Sequence, residues 1–164
     1  MKKRAWSTLV GFSQLLAAVF ENVLVGGVFG GQRGEPAASG PSLAALELTG
    51  LGPKANLRAS TLTLLERKRL ELARALATAP RVLLLDEIAG GLSEREVHEL
   101  VEVIRRVHRQ GVAIVWIEHI VHALRAVVSR LAVISAGRAL TEGPPDLVMR
   151  SPAVQRVYLG IDVQ

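Results

Sequence analysis

Cysteine is absent from the 164 residues, which removes disulfide staples, thiolate metal sites and a cysteine nucleophile together. An oxidised, cross-linked scaffold is excluded, and the cytosol is the default compartment. Aromatic side chains are scarce, with three Phe, two Trp and one Tyr, too few planes to stack single-stranded nucleic acid. Nor is there much surplus charge of one sign. Of the net charge of +5, three units come from Lys2, Lys3 and Arg4, so the rest of the chain is nearly balanced. Arg67-Lys68-Arg69 and Arg105-Arg106 interleave with Glu66, Glu71, Glu99 and Glu102, which describes a solvated helix face rather than a surface for nucleic acid. No nucleic-acid partner is expected.

A membrane-crossing run is lacking too. Residues 5–20 carry no charge and follow Met1-Lys2-Lys3-Arg4, the layout of a secretory leader. The run nevertheless falls short of the ~20 residues that span a bilayer. Ser7, Thr8, Ser13 and Gln14 interrupt it, and Glu21-Asn22 follow directly. The stretch 23–31 is glycine-rich without a small-x-small cleavage site. This segment is expected to pack on a neighbouring domain or partner, and to leave apolar surface exposed if that neighbour is missing.

What is present suffices for one ordinary globular core, at 49% apolar and 21% charged side chains. Glycines between Gly26 and Gly40, with Pro36 and Ser39, predict a loop, and residues 43–48 a short helix that stops at Gly50-Leu51-Gly52-Pro53. Residues 62–78 are built from strong helix formers, with Leu62, Leu65, Leu72, Ala73 and Leu76 on one side and Pro80 closing the helix. Val82 to Leu85 then form an unbroken apolar run ending at Asp86-Glu87, the pattern of a parallel strand buried on both faces. Ser93 and Glu96 make a capping box. Val97, Leu100, Val101, Ile104 and Val107 repeat at helical spacing until Gly111. A second buried strand is expected at 112–117 with Glu118-His119 at its end, a helix at 121–128 and a third strand at 131–135. Such a succession predicts a parallel α/β unit with right-handed crossovers. Residues 138–141 read as a hairpin strand after Gly137, and residues 144–159 as two short helices, the second opened by Ser151-Pro152.

Ligands of parallel sheets bind beyond the carboxyl ends of the strands, where Asp86, Glu87 and His119 fall. Two adjacent carboxylates at the end of a buried strand need a cation or hydrogen-bond donors. In nucleotide hydrolases the first such acid serves Mg²⁺ and a second orients the attacking water, and His119 could then reach the released phosphate. The plain alternative is that Asp86 and Glu87 only cap the following helix and that His119 is a solvated loop residue.

Five pieces stand in a specific order: residues 62–76 (LTLLERKRLELARAL), Val82-Leu83-Leu84-Leu85-Asp86-Glu87, Gly91-Leu92-Ser93, Ile117-Glu118-His119 and Val157-Tyr158-Leu159-Gly160. Together they resemble the second half of an ABC-transporter ATPase subunit, above all of the branched-chain amino acid importer type, over residues 43–160. The resemblance implies an α/β fold: an incomplete P-loop NTPase-like parallel sheet with flanking helices plus a small helical subdomain. It divides the chain into an apolar N-terminal segment, 1–31, as remnant of the Q-loop region; a helical subdomain with the signature helix, 32–80; and an α/β part, 81–164. It implies ATP and Mg²⁺ as cofactors, with Asp86 as the Walker B aspartate at the metal, Glu87 as the catalytic glutamate and His119 as the switch histidine near the γ-phosphate. Leu62, Thr63, Leu64, Leu65 and Glu66 occupy the signature motif, which contacts ATP bound by the opposite subunit. Ser93 lies in the D-loop, and Gln14 matches the Q-loop. The implied partners are a second ATPase subunit in a head-to-tail dimer and transmembrane permease subunits. The implied location is cytoplasmic, peripheral at the inner face of the membrane.

Departures accompany these matches. No G-x-x-x-x-G-K-[ST] occurs, so the loop that cradles phosphates is missing from these residues. Leu65 stands where the resemblance calls for a glycine, and its side chain is expected to block a partner's phosphate. Ile88 and Ile120 replace the proline and the acid usual at their positions. The sequence therefore reads as a truncated ATPase subunit, inactive alone. The competing reading is a catalytically silent remnant that pairs with a complete ATPase or a transporter subunit.

Overall fold

A computed structural model describes residues 17–159; Gln14 and Gly160 lie outside them. The described residues fall into two compact units that divide between His119 and Ile120.

The first unit begins with a helical layer. Helix α1 (Val19–Val25) runs into a π-helical turn at Gly26–Gly30, and α2 spans Glu35–Thr49. The stretch 26–40 is thus largely helical, against the predicted loop, and the predicted 43–48 helix is the end of a longer one. The glycines serve close packing there: a Cβ on Gly26 would stand 2.5 Å from the Arg74 carbonyl oxygen. Gly50, at φ 76, ends α2 as the sequence suggested. Helix α3 (Leu64–Leu76) lies inside the predicted 62–78 span. Val19, Val23, Leu46, Leu51, Leu62, Leu70 and Ala73 form the core among these helices.

Strand β1 (Val82–Asp86), helix α4 (Glu94–Arg109) and strand β2 (Ala113–Ile117) complete the unit, with β1 and β2 paired in parallel. The α4 stripe of Val97, Leu100, Val101, Ile104 and Val107 is buried, as its spacing required. Two ties fix α4 to the helical layer: Arg69 Nη2 donates to Glu99 Oε2 at 3.0 Å, and Arg106 Nε to the Leu48 carbonyl at 3.3 Å. The strands are not buried on both faces. Leu83, Leu85 and Trp116 are buried on one face, while Val82, Val115 and Ile117 on the other are 38%, 53% and 63% exposed. An apolar run shows that a strand can be covered on both sides, not that these residues supply both covers.

The second unit holds α5 (Val121–Arg125), β3 (Leu131–Ser135), β4 (Arg138–Gly143), α6 (Pro145–Met149) and α7 (Pro152–Val154). Here β3 pairs antiparallel with β4, and the parallel sheet of the first unit holds two strands among the described residues where three were predicted. Ala136 and Gly137 both adopt positive φ, 48 and 73, in a two-residue loop that folds β4 straight back on β3, the hairpin expected after Gly137. No helix of the described residues is long and apolar enough to cross a membrane.

Candidate functional site

The register of the parallel pair sets the site. Asp86 lies opposite Ile117, and the next amide, Glu87 N–H, donates to the Ile117 carbonyl at 2.9 Å. Residue 87 is thereby held beside the segment that continues into Glu118 and His119. Glu87 itself adopts φ 45, a left-handed conformation that costs a non-glycine residue about 1–2 kcal/mol. Its carbonyl accepts from Gly90 N–H at 3.1 Å, closing a tight turn. Glu87 Oε1 stands 3.7 Å from His119 Nδ1, and the two side chains are 65% and 63% exposed. Asp86 is exposed as well, and its carboxylate makes no hydrogen bond or ion pair with a described residue. A strained backbone that keeps two ionisable side chains together in solvent is more characteristic of a site than of packing. The three strand-end residues singled out by the sequence thus sit on adjoining strand ends.

Sequence reasoning missed Glu118 as an element in its own right. Its side chain is fully buried, 0% exposed, unlike those on either side of it. Oε1 accepts from Ala89 N–H at 3.0 Å, and Oε2 from His119 N–H at 3.3 Å while standing 3.6 Å from His119 Nδ1. Alternation along β2 was the available signal, since Trp116 points inward and residue 118 shares its parity.

The signature segment starts α3. Thr63 is the N-cap: its hydroxyl accepts from Glu66 N–H at 3.3 Å, and Glu66 Oε2 accepts from Thr63 N–H at 3.1 Å. Lys54 pairs with the other oxygen of Glu66. The Lys54 ammonium and, secondarily, the Thr63 amide hold the Glu66 carboxyl below its ordinary range despite partial burial. Because the helix begins at residue 64, the two leucines diverge. Leu65 is buried like Leu62, and Leu64 is 44% exposed. The expected obstruction by Leu65 is therefore corrected: its side chain belongs to the core, and Leu64 is the one that projects. A Cβ on Gly91 would meet Leu64 Cδ2 at 3.2 Å, so Gly91 and the start of α3 are neighbours. Ser93 is engaged in capping α4, with Oγ 2.7 Å from Glu96 Oε2 and Ser93 N–H donating to the same oxygen at 2.8 Å. Those two bonds lower the Glu96 carboxyl from its ordinary range.

No group of three or more His, Asp or Glu that could hold a metal occurs among the described residues. Mg²⁺ asks for less, since it takes one or two carboxylates and completes its shell with substrate phosphates and water. The unengaged Asp86 carboxylate, next to Glu87, fits that donor set. A cradle for the phosphates themselves is not found in the sequence.

No family model matches the chain. It is 34% identical over 148 residues to the high-affinity branched-chain amino acid transport ATP-binding protein LivG of Salmonella typhimurium, which covers 90% of this chain and 57% of that protein. The LivG of Escherichia coli K12 is 38% identical over 116 residues, 70% of this chain and 46% of the relative. The chain thus spans about half the length of the curated relatives it matches. Among solved structures, an ATP-binding cassette of an ABC transporter in its ADP conformation superposes with a TM-score of 0.80 at 22% identity, covering 90% of this chain and 65% of the cassette. A nucleotide-free cassette gives 0.79, over 96% and 68%. The fold is accordingly that of an ABC ATPase cassette.

Proposed function

By homology and by fold the chain belongs with the ABC-transporter ATP-binding proteins of the branched-chain amino acid type, and from that premise we propose that it supplies the hydrolytic half of an ATPase that powers branched-chain amino acid import. The observation that carries the reading is the Glu87–His119 pair, set at 3.7 Å by a left-handed Glu87 at the ends of two parallel strands. Asp86 is the carboxylate that holds Mg²⁺, which when bound neutralises charge on the phosphates. Glu87 accepts a proton from the attacking water and orients it, which needs the exposed carboxylate that the turn provides. His119 faces the transferred phosphate. Its Nδ1 is turned toward Glu87 and Glu118, which leaves Nε2 to meet the phosphate oxygens. The first amides of α3, capped by Thr63, address nucleotide held by a second ATPase subunit in a head-to-tail dimer. Permease subunits complete the transporter, which puts the chain at the inner face of the membrane.

These 164 residues taken alone bind Mg-ATP weakly and do not turn it over, because a phosphate loop supplies much of the affinity of such sites. Calorimetry tests this directly. Titration of the chain alone should give no saturable heat at micromolar Mg-ATP. The chain mixed with the N-terminal portion of Salmonella LivG that it does not match should saturate, with the Mg²⁺ dependence lost in Asp86→Ala. The silent-remnant alternative is favoured by one observation, the exposed Leu64 at the head of the signature helix. It predicts complex formation with the LivG portion and no nucleotide heat.

A further inference from the structure

A fully buried carboxylate is costly unless donors meet it, so the placement of Glu118 is dictated by what it accepts. One oxygen takes the Ala89 amide at 3.0 Å, and the other takes the His119 amide at 3.3 Å and lies 3.6 Å from the His119 ring nitrogen. Ala89 sits inside the turn closed by Gly90 N–H on the Glu87 carbonyl. One side chain therefore joins the turn that aims Glu87 to the residue that carries the switch imidazole. Neither exposed member of the pair can do this for itself. The Glu87 and His119 side chains are both more than 60% exposed, and contacts between solvated groups hold no fixed geometry.

We propose that Glu118 is a positioning residue that ties the His119 backbone to the turn after Glu87 and sets a carboxylate beside the His119 ring, so that the two hydrolytic side chains are oriented together before nucleotide arrives. Its bearing on hydrolysis rests on the function proposed above; the tie itself is a property of the nucleotide-free chain. The tie needs both oxygens and the full side-chain length. Glutamine keeps one acceptor and turns a donor toward the His119 amide. Aspartate, one methylene shorter, cannot reach Ala89 without drawing back from His119.

The test uses the full-length chain, ¹⁵N-labelled and nucleotide-free, in one buffer for all variants. Two signals are read: hydrogen exchange at the Ala89 amide, and the tautomer of the His119 ring from its ¹⁵N shifts, with exposed His98 on α4 as internal reference. In the wild type, Ala89 should be protected, and His119 should carry its proton on Nδ1, facing the carboxylates, more than His98 does. In Glu118→Ala and Glu118→Asp, Ala89 exchange should rise at least tenfold and the His119 ring should take the shifts of His98. In Glu118→Gln, which keeps the volume and guards against a failure of the smaller variants to fold, Ala89 should stay protected while the ring shifts move. A Glu118→Gln spectrum with an unmoved His119 ring would overturn the proposal. So would an Ala or Asp variant with wild-type Ala89 protection and intact exchange at Leu100 and Ile104. Because no nucleotide is present, failure here is distinct from failure of the ATPase reading, which would show as absent hydrolysis by the chain combined with the N-terminal portion of Salmonella LivG, with these spectra unchanged.

Discussion

Glu87 is held at φ 45, and its replacement by glycine should stabilise the fold while abolishing its chemistry. The left-handed conformation costs a residue with a Cβ about 1–2 kcal/mol, and glycine escapes that cost. Against this, glycine gives the unfolded chain extra freedom, about 0.4–1 kcal/mol. Loss of the contact with His119 matters little: at 3.7 Å between side chains more than 60% exposed, it contributes on the order of a few tenths of a kcal/mol. Glu87→Gly should therefore be about 0.5–1 kcal/mol more stable than the wild type. Glu87→Ala, which keeps the strain, should be no more stable than wild type, and Glu87→Asn should fall between because asparagine tolerates this region. Urea unfolding followed by far-ultraviolet circular dichroism would read the difference as a midpoint shift of about 0.2–1 M at ordinary slopes. An alanine variant as stable as the glycine variant would refute the reasoning, because it would mean that the turn stores no backbone strain.

Other expectations follow from the same geometry. Leu65→Gly should cost about 2–5 kcal/mol by opening a cavity in the core. Leu64→Gly should leave the melting temperature within a few degrees, and only the latter should raise hydrolysis when a phosphate loop is supplied. Thr63→Ala, which removes the cap of α3, should cost about 0.5–2 kcal/mol by chemical denaturation. Glu66, whose carboxyl is lowered by Lys54 and Thr63, stabilises the fold when ionised. Its contribution is complete above the ordinary glutamate range and lost as pH falls through the lower folded value, so the melting-temperature gap between wild type and Glu66→Gln should close on acidification. Trp116 buries an indole N–H that meets no acceptor among the described residues. Trp116→Phe should consequently cost less than about 1 kcal/mol, the orphan donor offsetting the lost area.

Local chemistry was legible in the chain where one short-range interaction decides the outcome. Ser93 with Glu96 opens α4, the stripe from Val97 to Val107 buries its face, and Gly50 ends α2. Legibility failed where the outcome depends on a distant surface. Glycines at 26–31 suggest a loop, yet they permit α1 and its π-helical turn to approach α3. The runs Val82–Leu85 and Ile114–Ile117 announce strands without saying that one face stays bare, because apolarity records what a strand can bury and not what covers it. Residues 131–135 could extend a parallel sheet by pattern alone, yet among the described residues they pair only with β4, the hairpin that Gly137 announced. At the site, Asp86, Glu87 and His119 were visible as polar residues ending apolar strands. The division of labour between Leu64 and Leu65 needed the helix start, and Glu118 needed its inward parity.

The most direct measurement of the central claim is phosphate release from saturating Mg-ATP by the chain combined with the complementary N-terminal portion of Salmonella LivG. Glu87→Gln in the chain serves as the comparison, at matched folded fractions. A general base at position 87 is worth about 10²–10⁴ in rate, so the account predicts release by the wild-type pair and a fall of at least a hundredfold in the variant. Equal release from the two, or bound nucleotide with no release from either, would contradict it.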